Sequence, residues 1–151
     1  MIRLLFALAL LATPAAALTL PQFEGEWQGE GTLILGDEPA QRFRCRLRLR
    51  ETRPGESVFQ GRCATAQAAQ SFTYMLREGG DGSLGGESRA LVEDELPDRL
   101  TGHAEPGLLH LEGADDGLFE MRREGETLRF VLEGRGSRGF ARGEAVLQLR
   151  D

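Results

Sequence analysis

The sequence predicts an all-β chain: an antiparallel barrel or sandwich of about 8–10 short strands, with one disulfide inside a hairpin. Apolar residues recur mostly at every second position, in runs bounded by Gly, Pro and Asp, which is the pattern of half-buried antiparallel strands. No helical period persists over a long window, and no internal repeat, low-complexity tract or linker interrupts the pattern. The chain also holds 20 glycines, which suit sharp turns and bulges in a strongly curved sheet, and only two cysteines.

Candidate strands run over 24–35, 42–51, 57–65, 69–78, 83–90, 99–105, 107–113, 117–124, 127–134 and 139–150. Turn signals separate them, among them Pro54-Gly55, Gly79-Gly80-Asp81-Gly82, Pro106-Gly107 and Asp115-Asp116-Gly117. The acidic stretch 90–98 reads as a short helix or an irregular loop.

The second and third strands can be paired explicitly. Phe43, Cys45, Leu47 and Leu49 share one face of the second, and Arg42, Arg44, Arg46, Arg48 and Arg50 share the other. Folding about Pro54 sets Cys45 opposite Cys63, Leu47 opposite Gly61 and Leu49 opposite Phe59. Directly opposed residues lie ~4.5–5.5 Å apart at Cα, within reach of a disulfide. Folding about Glu38 sets Leu33 opposite Phe43, Gly31 opposite Cys45, Gly29 opposite Leu47 and Trp27 opposite Leu49. On the outer face Glu30 then meets Arg46, and Glu26 meets Arg50. A slip of one residue would turn the arginines inward, which the cost of burying charge forbids.

The first residues have the three parts of a secretory signal peptide. Arg3 is the positive region, Leu4–Ala12 the apolar region, and Ala15-Ala16-Ala17 the small-residue cleavage site. The apolar run is far shorter than the ~20 residues a membrane span needs. Residues 1–17 are therefore expected to be cleaved, leaving 18–151 as a single β domain. No cysteine lies at the cleavage site, so no lipid anchor is expected, and no later segment could span a membrane as a helix. The expected location is periplasmic or secreted, where two cysteines form a disulfide.

The net charge is −6, so the chain as a whole is a poor partner for nucleic acid or an anionic membrane. Lys and Asn are absent and all 18 basic residues are Arg, as expected of a GC-rich bacterial genome. The arginine ladder at 42–50 is either an anion-binding stripe or a solvated face neutralised by cross-strand glutamates. The register above supplies the glutamates and favours the second. His103 and His110, with Glu112, Asp115 and Asp116, match no metal-ligand spacing, so no metal and no cofactor is expected. Ser57, Ser71, Ser83, Ser88 and Ser137 lie in no nucleophile motif, and no pair of carboxylates is set apart for acid–base work. Trp27, Phe43, Phe59, Phe72, Tyr74, Phe119 and Phe130 fall on inward faces, with Leu47, Met121, Leu132, Leu147 and Leu149. They are the candidate lining of a ligand pocket, or else the filling of a solid core.

Gly25 and Trp27, on the first strand of a small exported β domain, resemble the G-x-W signature of the calycins, the lipocalin-like barrels. The resemblance implies an up-and-down antiparallel barrel, with the Trp closing one end and a ligand cavity inside. Gly25, Trp27, Cys45, Leu47, Leu49 and Cys63 together are similar to the periplasmic inhibitors of secreted metalloproteases, themselves small calycin barrels. That likeness implies an N-terminal segment, here residues 18–22, that protrudes into a protease cleft. The expectation is thus a non-enzymatic barrel that binds a small apolar ligand or serves as an envelope interaction module. The alternatives are a protease inhibitor acting through 18–22 and an enzyme of unrecognised type.

Overall fold

The computed structural model describes residues 17–151, so the predicted signal peptide lies outside it save for Ala17. One 3-10 turn, Leu20–Phe23, precedes ten strands. These are β1 (Gly25–Leu35), β2 (Gln41–Arg53), β3 (Glu56–Ala64), β4 (Ala69–Glu78) and β5 (Ser83–Ser88). They continue with β6 (Arg99–Glu105), β7 (Leu108–Gly113), β8 (Leu118–Glu124), β9 (Thr127–Gly136) and β10 (Gly139–Arg150). Each strand pairs antiparallel with the next, and β10 pairs back to β1, closing an up-and-down barrel. Closure removes the edges on which an open sheet would pair with other chains. Every predicted strand is present, β4, β6 and β10 with the predicted bounds. Residues 90–98 form an irregular loop. Among the described residues no helix is long and apolar enough to cross a membrane.

The β2–β3 hairpin has the predicted register, with Cys45 opposite Cys63, Leu47 opposite Gly61 and Leu49 opposite Phe59. Cys45 and Cys63 are joined in a disulfide with their Cα atoms 4.2 Å apart. The β1–β2 register differs from the expectation by two residues. Trp27 faces Leu47, Gly29 faces Cys45, Gly31 faces Phe43 and Leu33 faces Gln41. The cause is the turn. Glu38 N–H donates to the Leu35 carbonyl at 3.0 Å, and left-handed Gly36 (φ 52°) bends the chain earlier than a pivot at Glu38 would. An even shift keeps every side chain on its face, so the core and charge patterns are blind to it. The outer ion pairs move with the register: Glu30 meets Arg44 at 2.7 Å and Glu26 meets Arg48 at 3.6 Å.

The middle of the barrel is solid. Phe59, Phe72, Tyr74, Phe119 and Phe130 form one aromatic cluster, with ring centroids 4.9 Å apart for Phe72–Phe119 and 5.5 Å for Tyr74–Phe119. The tip of the Phe72 ring fills the space over its cross-strand partner Gly61, where a Cβ would come within 2.0 Å of it. Glycine at this position makes room for the ring.

The end of the barrel where β1 begins is sealed. Leu20, Phe23 and Trp27 are all buried there. The Glu78 carboxylate accepts from Thr19 N–H at 2.7 Å and from Leu20 N–H at 2.8 Å, satisfying donors at the start of the 3-10 turn. Trp27 Nε1–H donates to the Phe23 carbonyl at 2.9 Å. Gly107 N–H donates to Gln22 Oε1 at 3.0 Å, and Arg123 donates to the Gln22 carbonyl. Residues 18–22, expected to protrude as an arm, are thus docked as a plug: Thr19 and Leu20 are buried, and only Pro21 and Gln22 are exposed.

Candidate functional site: a cavity at the open end of the barrel

β9 and β10 carry their large inward side chains toward the sealed end and small ones toward the other. Along β10 the inward positions run Ala141, Gly143, Ala145, Leu147 and Leu149, and along β9 they run Leu128, Phe130, Leu132, Gly134 and Gly136. Where the small residues meet, the aromatic filling stops and a cavity of 270 Å³ opens. That is near the lower edge of the ~300–1,000 Å³ typical of small-molecule sites, so any occupant is small. Leu33, Leu35, Phe43, Leu132 and Ala141 form its apolar walls, and Cys63 of the disulfide is at its edge.

The loop over residues 89–98 roofs the cavity and contributes Leu96. Its anchors are polar. The Tyr74 hydroxyl donates to the Pro97 carbonyl at 2.7 Å. Burial first, then the Asp94 and Asp98 carboxylates, push the Tyr74 phenol far above its ordinary range, so it stays protonated and able to donate. Glu95 accepts from Ser137 N–H at 3.0 Å, and that bond holds its carboxyl below the ordinary range. Leu91 and Val92, at the tip, are exposed.

Three ion pairs stand at the mouth, beside the Glu95 carboxylate, which has no cation at ion-pair distance among the described residues. Arg135 Nε lies 2.9 Å from Asp116 and Arg138 lies 3.1 Å from Glu38, while Arg142 pairs with Glu133. Two amides face inward at the same level. Gln41 Nε2 donates to Glu38 at 3.1 Å and Gln70 Nε2 to the Ser71 carbonyl at 3.1 Å, so each amide presents its oxygen as a neutral acceptor. The arrangement suits enclosure of an apolar body with an uncharged polar tip. The only thiol chemistry at its edge is locked in the disulfide.

Of the seven aromatic residues proposed from sequence as pocket lining, Phe43 alone lines this cavity. Trp27 is at the sealed end, and Phe59, Phe72, Tyr74, Phe119 and Phe130 pack on one another beneath the cavity floor. Leu33, Leu35, Leu96 and Ala141 were not foreseen. The signal for them was the run of Gly134, Gly136, Gly139 and Ala141 around one turn, where inward bulk disappears from two adjacent strands.

The histidines lie elsewhere, on the outer wall. His103 and His110 are cross-strand partners with ring centroids 5.2 Å apart. His110 Nδ1 is 2.9 Å from Glu120 and its Nε2 is 3.0 Å from Glu112. Among the described residues no group of three or more His, Cys, Asp and Glu is placed to hold a metal.

A closed antiparallel barrel with one plugged and one hollow end is the class these features define. The crystal structure of Rv2717c from M. tuberculosis is similar to it, with a TM-score of 0.63 over 90% of this chain and 100% of that one. The two share 13% of their sequence, so the likeness is one of fold. No protein-family profile matches the chain, and no curated protein matches it in sequence.

Proposed function

We propose that this protein is an exported, non-enzymatic barrel of the calycin type that holds a small apolar molecule at its Phe43 end. The observation that carries the reading is the apolar cavity between Phe43, Leu132 and Ala141, walled by small inward residues and roofed by Leu96. Kinship with the calycins is supported by Trp27, which lies in the first strand and seals one end, the role the G-x-W resemblance implies. Export is supported by the Cys45–Cys63 disulfide, a bond that persists in oxidising compartments.

The test is native mass spectrometry of protein purified from its own host, compared with an Ala141→Phe variant that fills the cavity. The reading predicts a non-covalent adduct on the wild type that is missing from the variant. An adduct retained by the variant, or a wild type that carries none and takes up no apolar probe on titration, would refute it.

A further inference from the structure

The arginine row on β2 is less neutralised than the sequence suggested. Arg42, Arg44, Arg46, Arg48 and Arg50 all lie on the exposed outer face. Glutamates on β1 pair with Arg44 and Arg48. Among the described residues no carboxylate reaches ion-pair distance of Arg42, Arg46 or Arg50. Their cross-strand neighbours are Thr32 for Arg42, Gln28 for Arg46 and Val58 for Arg50. On its other side Arg46 directly faces Arg62, whose hydrogen bond to Ser71 Oγ at 3.5 Å is to a neutral group. Like charges directly opposed on a sheet repel, so this pair serves no purpose in holding the strands together.

The row and Arg62 thus set six guanidiniums against two carboxylates, in a chain whose net charge is −6. The acidity is elsewhere, with Glu93, Asp94, Glu95, Asp98 and Asp115 gathered at the open end. Alternate residues of a strand stand about 6.6 Å apart, so the row from Arg42 to Arg50 extends about 26 Å along the outer wall. A row of separate cations along a convex wall offers no cradle to one small anion. It matches a plane of spaced phosphates, each meeting one or two guanidiniums.

We infer that the β2–β3 wall docks the barrel on the anionic phosphate surface of a membrane, as a peripheral electrostatic contact. The row begins at Arg42, next to Gln41 at the mouth of the cavity, and ends at Arg50, beside Leu49 at the sealed end, so the barrel lies on its side against the lipid surface.

Co-sedimentation with vesicles tests this, using phosphatidylcholine alone or mixed in equal parts with phosphatidylglycerol. The full-length mature protein is expected to bind the mixed vesicles and to be released by high salt. Arg46→Glu/Arg62→Glu should weaken partitioning at least about tenfold, and the milder Arg42→Gln/Arg46→Gln/Arg50→Gln should weaken it too. Arg122→Glu/Arg129→Glu, the same charge change at the cross-strand arginine pair of β8 and β9, should leave it within about twofold, with circular dichroism confirming that each variant is folded. Absence of wild-type binding, or binding indifferent to the β2–β3 variants, would overturn the inference. So would tighter binding to duplex DNA or soluble polyphosphate than to the vesicles, which would assign the row to a soluble polyanion.

Discussion

The guanidinium of Arg123 lies 5.1 Å from the centre of the Trp27 ring, over the sealed end of the barrel. The same group donates to the carbonyls of Gln22 and Gly125, so one side chain clamps the N-terminal plug to the β8–β9 turn. A cation over an aromatic ring adds ~0.5–1 kcal/mol at a part-exposed site, and charged hydrogen bonds add more. Arg123→Ala should therefore lower unfolding free energy by about 1–2 kcal/mol. Its Trp27 emission should shift to the red, because water reaches the ring when the plug loosens. Urea titration followed by tryptophan fluorescence measures both.

The disulfide closes a loop of sequence separation 18. Loop-closure entropy for such a length makes it worth about 3 kcal/mol. Cys45→Ala/Cys63→Ala should lose that amount in chemical denaturation while keeping the β-sheet spectrum. Denatured, unreduced wild-type protein should show no titratable thiol, and two free thiols would refute the bond.

Phe72 over Gly61 is a site with no slack. Gly61→Val places a branched side chain where the Phe72 ring already sits, with a Cβ 2.0 Å from the nearest ring carbon. The ring must leave its contacts with Phe59 and Phe119, at 5.1 and 4.9 Å. Overpacking of this kind costs about 1–3 kcal/mol, read from the shift of the urea midpoint. Phe72→Leu in the Gly61→Val background should recover part of the loss, which a purely backbone effect would not allow.

His110 gives the fold a pH dependence of defined sign. Both its ring nitrogens face carboxylate oxygens, and only an imidazolium donates from both. Partial burial opposes the charge, but the bonds to Glu112 and Glu120 outweigh it and raise the pKa above the ordinary 6.5. The His103 ring stacks on that of His110, and Arg122 lies 4.0 Å from Glu120. Because the folded pKa is the higher one, this stabilisation is fully present below the unfolded value and is lost as pH rises through the folded value. Melting temperatures of wild type and His110→Gln should differ most on the acid side of neutrality, above the carboxylate range, and converge in alkali. A difference that grows with pH would contradict the assignment.

How much of this was legible beforehand depended on what breaks the two-residue symmetry of a strand. Alternation gave the faces of β2 and β3, and the two cysteines then selected one register among those of equal parity. No covalent marker joins β1 to β2, so the expected pairing of Trp27 with Leu49 was displaced to Leu47, on the same face. The docking of Leu20 depends on Glu78, far away in sequence and indistinguishable from other strand carboxylates until the barrel closes. The cavity was hidden for a related reason. Inward-facing aromatics were visible, but whether they share one level depends on the stagger of ten strands. That stagger gathers Phe59, Phe72 and Phe119 into a plug and leaves Phe43 beside Gly143 and Ala141 at the edge of open space.

The central claim is that the barrel is solid at the Trp27 end and hollow at the Phe43 end. Diffraction from crystals pressurised with xenon tests it most directly, because the atom enters dry apolar cavities and little else. The account predicts xenon density between Phe43, Leu132 and Ala141 under Leu96, lost in Ala141→Phe. Density beside Trp27, or an interior that admits no xenon in the wild type, would contradict it.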